Sequence, residues 1–169
     1  MSGETYSDAK IIQSWNRNAA PWTAAARGGR IESRRLVTDA AIVDAVLSRS
    51  PARVLDIGSG EGWLARALNA RGVEVVGVDA VPSLIEAARK SGGGDFRVMS
   101  YEDIAEGKPA LAADAIVCNF SLISRESVER LIESGPALLN PDGALIVQTH
   151  HPIIACGAAP YRDGWRDGS

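Results

Sequence analysis

The hydrophobic and polar positions of this chain follow one period in its first third and another in the rest. From 8 to 27 and from 33 to 48 the apolar residues recur at helical spacing, and the break between these stretches falls at Gly28 and Gly29. In the second stretch Leu36, Val37, Ala40, Ala41, Val43 and Val46 make the expected apolar stripe, with Pro51 just past its end. From Arg53 onward short β-rich runs alternate with helical stretches. The runs are ARVLDIG, VEVVGVD, DFRVMS, DAIVCNF and ALIVQTH, with WLARALNARG, SLIEAARK and SVERLIESGPALL among the intervening segments. Runs that are almost continuously apolar, separated by amphipathic helices, predict a parallel sheet covered on both faces. The expected fold is therefore α/β, with five strands and an N-terminal helical cap.

The chain has 169 residues, enough for one domain. Its expected parts are a cap over 1–50, an α/β core over 51–151 and an irregular tail over 152–169. Hydrophobic residues are 46% and charged residues 23%, so a folded globular chain is expected. No apolar run reaches the length of a membrane helix and MSGETYSDAK is too polar for a signal peptide, so no membrane partner and a cytoplasmic location are expected. Cys118 and Cys156 are too few for a disulfide framework and lack metal-ligand spacing; no metal is expected. The net charge is −3, and residues 1–53 carry eight Lys or Arg against five Asp or Glu. The arginines at 27, 30, 34 and 35 are too few for a nucleic-acid surface. They read as a solvated helix face, or as one or two groups that reach an anionic part of a small ligand.

The candidate chemistry begins where the first strand ends. In VLDIGSGEGWLARAL, Gly58, Gly60 and Gly62 occupy alternate positions between a strand and a helix, a turn in which the backbone lies close to a ligand and the helix start offers N–H groups to it. A dinucleotide turn would need a third glycine at 63, where Trp63 stands, and no Gly-Lys-Ser/Thr follows for a phosphate loop. Asp56, just before the turn, would repel a pyrophosphate and attract an ammonium. The second strand closes on Asp79, 21 positions after Gly58. A carboxylate there either accepts hydrogen bonds from ribose hydroxyls or caps the next helix, which Pro82 opens.

An acid followed by glycines at alternate positions after an apolar strand resembles the first motif of class I, Rossmann-like S-adenosylmethionine-dependent methyltransferases. The resemblance spans about residues 50 to 150, and SWNRNAAPW and YRDGW are similar to flanks of bacterial small-molecule members of unassigned substrate. It implies S-adenosylmethionine as cofactor, S-adenosylhomocysteine as product and a small-molecule methyl acceptor. On this reading Asp56, Gly58, Ser59, Gly60, Gly62 and Trp63 surround the methionyl part, and Asp79 and Ala80 the ribose. The family's acid near the adenine falls on Ser100 here, so Ser100, the backbone of Tyr101 or the carboxylate of Glu102 is left to supply that contact. Asn119, Phe120 and Ser121 end the fourth strand where the sulfonium faces the acceptor, although Phe120 reads equally as core.

Trp15 and Trp22 lie two helical turns apart and share a face, either packing on the sheet edge or covering the cofactor as a lid. His150 and His151 end the fifth strand and, on alternating faces, do not bind one metal; one of them is the candidate to position an acceptor or take its proton. Two other readings keep the same turn: a non-catalytic, regulatory S-adenosylmethionine-binding protein, and an NAD-dependent oxidoreductase, which the glycine spacing disfavours. The family resembled has seven strands. Residues 151 to 169 carry Pro152, Gly157, Pro160, Gly164 and Gly168, which leave no room for a hairpin of two five-residue strands. The expectation is a chain lacking a carboxyl-terminal segment, or a fifth-strand edge covered by the tail or by a second copy in a homodimer.

Overall fold

The computed structural model describes residues 7–108 and 112–151. The tail over 152–169, with YRDGW and Cys156, lies outside them. Helix α1 (Asp8–Arg27) leads through Gly28 and Gly29 to a π-helical turn (Arg34–Thr38) that runs directly into α2 (Asp39–Leu47). Strand and helix then alternate: β1 (Arg53–Ile57), α3 (Trp63–Asn69), β2 (Glu74–Asp79), α4 (Pro82–Ser91), β3 (Asp95–Val98), α5 (Tyr101–Ala105), β4 (Ala113–Asn119), α6 (Glu126–Ser134), a 3-10 turn (Gly135–Leu138) and β5 (Leu139–Gln148).

The sheet has the order β3-β2-β1-β4-β5, and every neighbouring pair is parallel. Successive strand residues face opposite layers, so Val54, Val75, Ala115 and Val117 pack under α2, α3 and α4, whereas Leu55, Val76, Ile116 and Cys118 pack under α5 and α6. Both faces are thereby dry, which is why the strands read as continuous apolar runs. The order turns at β1, where β2 lies on one side and β4 on the other. In open parallel sheets that reversal leaves a crevice beyond the carboxyl ends of the strands, the usual place for a ligand.

The expected stripe on the second helical stretch is corrected. Leu36 and Val37 are 59% and 62% exposed, and the buried positions are Ile42, Val43 and Val46. The π-helical turn adds a residue per turn and rotates the earlier positions away from the core. β5 pairs with β4 at Leu139 and again from Ala144 onward, with an irregularity between them. Among the described residues no helix is long and apolar enough to cross a membrane, and no cluster of His, Cys, Asp or Glu could hold a metal ion.

Candidate functional site

A cleft of about 550 Å³ opens beyond the carboxyl ends of β1, β2, β3 and β4. Its floor is Gly58, Ser59 and Gly60 just after β1, Asp79 and Ala80 at the end of β2, Ser100, Tyr101 and Glu102 where β3 leads into α5, and Asn119, Phe120 and Ser121 at the end of β4. Trp63 lies at one side, and α1 roofs the opening with Asp8, Ile11, Ile12, Trp15 and Trp22. Ile31, Ser33, Arg34 and Thr38 close the remaining wall.

The glycine turn is built tightly against its neighbours. Gly58 has φ +74°, and a β-carbon there would lie 2.3 Å from the Ser121 Cβ. Gly60 has φ +57° with open space where a side chain would stand, so its backbone is bared to the cleft. Gly62 faces the other way. It does not line the cleft, and a β-carbon on it would meet the Phe96 ring at 2.7 Å. Within the turn itself, before the first residue of α3, four amides are already engaged. The amides of Gly58 and Ser59 donate to Val78 O, that of Gly62 to Ser59 O, and that of Gly60 to the Asp79 carboxylate at 3.0 Å. The turn is thereby held by β2.

Asp79 is central to that scaffold. One of its oxygens accepts from Gly60 N–H and the other from Val81 N–H at 2.9 Å, so the carboxylate both joins the turns after β1 and β2 and fixes the entry to α4. Burial pushes its carboxyl above the ordinary range, and the two amide donors oppose the shift. Asp56, expected beside the ligand, is not in the cleft wall: it is 2% exposed within β1, between Gly77 and Val117 on the neighbouring strands. Its Oδ2 has no hydrogen-bond partner among the described residues. Burial, with the nearby Asp79 charge adding to it, raises its carboxyl to about 7 from 3.8.

A pH dependence follows. The folded chain keeps the Asp56 proton up to about pH 7, while the unfolded chain releases it near the ordinary value, so the folded state binds more protons between these limits. Stability contributed by this group is full below about pH 4 and falls as pH rises to about 7, by on the order of 4 kcal/mol. Urea unfolding at pH 5 and pH 8 measures it. Asp56→Asn is expected to remove most of the difference, and an equal pH slope in the variant would assign the effect to other groups.

The strand ends on the far side are specific too. Phe120 is non-glycine at φ +52°; its N–H donates to Gln148 O at 2.8 Å and its ring lies 4.9 Å from that of His150. Such a backbone state is uncommon and gathers at functional sites. Phe120 therefore lines the cleft rather than the core. Ser121 donates to Ile57 O at 2.7 Å, and the Tyr101 hydroxyl donates to Ser121 O. β5 ends at Gln148, so both histidines lie past the strand and its alternation does not govern them; His150 lines the cleft and His151 does not. The Ser100 hydroxyl is engaged in a capping box with Asp103: it accepts Asp103 N–H at 3.2 Å, while the Asp103 carboxylate accepts Ser100 N–H at 2.9 Å. Cys118 is buried and its thiol is pushed up to about 12, which rules it out as a ready nucleophile.

Sequence reasoning passed over Glu61 and left Arg34 unassigned. Glu61 is 2% exposed and takes Arg27 and Arg66 at 2.7 Å each. An acid inside the glycine turn with an arginine five positions on was a visible signal, whereas the approach of Arg27 was not. Arg34 pairs with Asp39 at 2.9 Å and lies 4.7 Å over the Trp63 ring, placing a cation on the cleft wall near the glycine turn.

A family model described as a methyltransferase domain matches residues 31–166. The chain belongs to this methyltransferase-domain family. The domain is 38% identical over 114 residues to the ubiquinone biosynthesis O-methyltransferase of Xylella fastidiosa (strain M23), a match covering 64% of this chain and 46% of that protein. It thus spans about half the length of the curated relatives it matches. Among solved structures it is similar to an S-adenosylmethionine-dependent methyltransferase from Mesorhizobium loti, with a TM-score of 0.57 and 26% identity over 75% of this chain and 60% of that one. A TehB-like methyltransferase from Corynebacterium glutamicum shares the fold, with a TM-score of 0.59 and 23% identity over 82% of this chain and 73% of that one. The architecture is the Rossmann-like methyltransferase fold, with the methyltransferase domain's five parallel strands as expected.

Proposed function

We infer that this methyltransferase domain binds S-adenosylmethionine in the cleft and transfers its methyl group to a small-molecule acceptor. The observation that carries the reading is the meeting of bared Gly60 and half-buried Asp79 at the sheet's order reversal, within a cleft of about 550 Å³. That volume lies in the range of sites for drug-sized ligands, about 300 to 1,000 Å³. The residues present fit the group. Asp79 suits the ribose hydroxyls, Arg34 is a counter-charge for the carboxylate of the aminoacyl end, and the buried Ser59 Oγ and Asn119 Oδ1 have no partner among the described residues. Tyr101 and Glu102 stand beside the adenine end, with Ser100 shaping the loop through its cap.

The cofactor, when bound, would supply a methyl carbon activated by its sulfonium, open to direct attack by an acceptor's lone pair as the carbon–sulfur bond breaks and S-adenosylhomocysteine leaves. The chain's own contribution is then alignment, worth up to about 7 to 11 kcal/mol in well-oriented reactions. Phe120, held in its uncommon backbone state, and His150 form the wall toward β5. His150 is the candidate to position the acceptor or take its proton, and Trp15 and Trp22 on α1 are the candidate lid. The name of the Xylella relative makes oxygen nucleophiles the first acceptors to test. This reading keeps the expected cytoplasmic location, and a second copy pairing along β5, where Leu145 and Val147 are 40% and 44% exposed, remains its reading of the assembly.

Calorimetry tests the cofactor. S-adenosylhomocysteine is expected to bind with one site per chain and NAD not to bind; the reverse result would move the chain to the oxidoreductase class. Turnover with a panel of phenols, carboxylates, amines and thiols then separates an enzyme from a protein that only holds the cofactor.

A further inference from the structure

We propose that Glu61 and Arg27 form a latch by which the glycine turn holds α1 closed over the cleft, making Arg27 a positioning residue for cofactor retention. The proposal rests on the cofactor reading above. Glu61 is buried within the turn, where a lone carboxylate would be costly, and two guanidinium groups share its Oε2 at 2.7 Å. One partner is local: Arg66, on α3, also donates to the Glu61 carbonyl at 2.7 Å. The other is remote. Arg27 is the last residue of α1, and beyond its bond to Glu61 it donates to Ala87 O at 3.1 Å and Ser91 Oγ at 2.8 Å on α4. One side chain therefore ties the end of α1 to the glycine turn and to the neighbouring helix.

The rest of α1 is lightly attached. Ala19 is its one buried residue, in a small cluster with Val81 and Leu84 against which Trp15 and Trp22 pack. At its other end Asp8 accepts from the Ser124 hydroxyl. Immediately after Arg27 come Gly28 and Gly29, the latter at φ +63°, a pivot with no side chains to resist rotation. A helix with few buried contacts, a polar clasp at its end and a glycine pivot has the features of a unit that opens without unfolding the core. Because α1 forms one wall of the cleft, its opening exposes whatever the cleft holds.

Arg27→Met tests the latch, since Glu61 keeps Arg66 and the core should persist. Hydrogen exchange of the apo protein is expected to show loss of protection over 8–27 with β1 and α3 unchanged. Stopped-flow release of S-adenosylhomocysteine is expected to accelerate about tenfold, and Arg27→Lys, which keeps the charge but not the three-way fork, to recover part of it. Unchanged protection of α1 would overturn the latch. Released α1 with an unchanged off-rate would overturn its role in retention. If the wild-type chain fails to bind the probe, the cofactor reading falls and the retention role with it, while exchange still decides whether the clasp exists. Glu61→Gln is the second variant: weakening the clasp from the other side, it should reproduce the loss of α1 protection, and failure to do so would overturn the pairing.

Discussion

Alanine at Gly58 is expected to destabilise the domain by about 2 to 5 kcal/mol. A non-glycine residue held in the left-handed region costs about 1 to 2 kcal/mol, and overpacking in a tight site adds about 1 to 3. Both apply here, because the residue sits at φ +74° and its new β-carbon would lie 2.3 Å from the Ser121 Cβ. Ser121 cannot simply yield. Its hydroxyl donates to Ile57 O and its carbonyl receives the Tyr101 hydroxyl, so moving it disturbs the ends of β1 and β4 and the start of α5 together. Against a typical total stability of about 5 to 15 kcal/mol such a loss is severe. Gly60→Ala is the control: it carries the backbone cost with no clash, so a loss of about 1 to 2 kcal/mol is expected. Urea unfolding of both, together with Gly58→Ala/Ser121→Gly, reads the steric part directly. If the two single variants are equally stable, the close approach of Ser121 has no energetic weight.

Asp79→Ala is expected to raise the dissociation constant for S-adenosylhomocysteine more than tenfold. A bond to a charged group contributes about 1.5 to 3 kcal/mol, and 1.4 kcal/mol is a factor of ten. The loss has two sources, since the same carboxylate would meet the ribose and already receives Gly60 N–H and Val81 N–H. Calorimetry on a variant whose circular dichroism matches the parent separates the two roles. A lower melting temperature with an unchanged dissociation constant would make Asp79 a helix-entry cap and no more, and would remove the main support for the cofactor assignment.

The local periodicities of the sequence carried most of the fold and the outline of the site. Strand and helix are set by contacts two to four residues apart, so the alternation of apolar runs with amphipathic stretches was enough to foresee five parallel strands and helices on both faces. Once parallel strands are assumed, Gly58, Gly60, Asp79, Tyr101, Asn119 and Phe120 must come together at the carboxyl ends, and they do. What the sequence could not resolve is which way a side chain points when a neighbouring strand or helix decides it. Asp56 is one residue short of Ile57 and two short of Gly58, yet the β1 pleat buries it between Gly77 and Val117. Gly62 is glycine because Phe96, 34 positions later, occupies its side-chain space, and Ser100 is spent on capping α5. Leu36 and Val37 left the core through an added residue in one helical turn. The pairing of Glu61 with Arg27 belongs to tertiary structure alone, because it exists only when α1 lies over the glycine turn and leaves a buried charge to be neutralised across the cleft's edge.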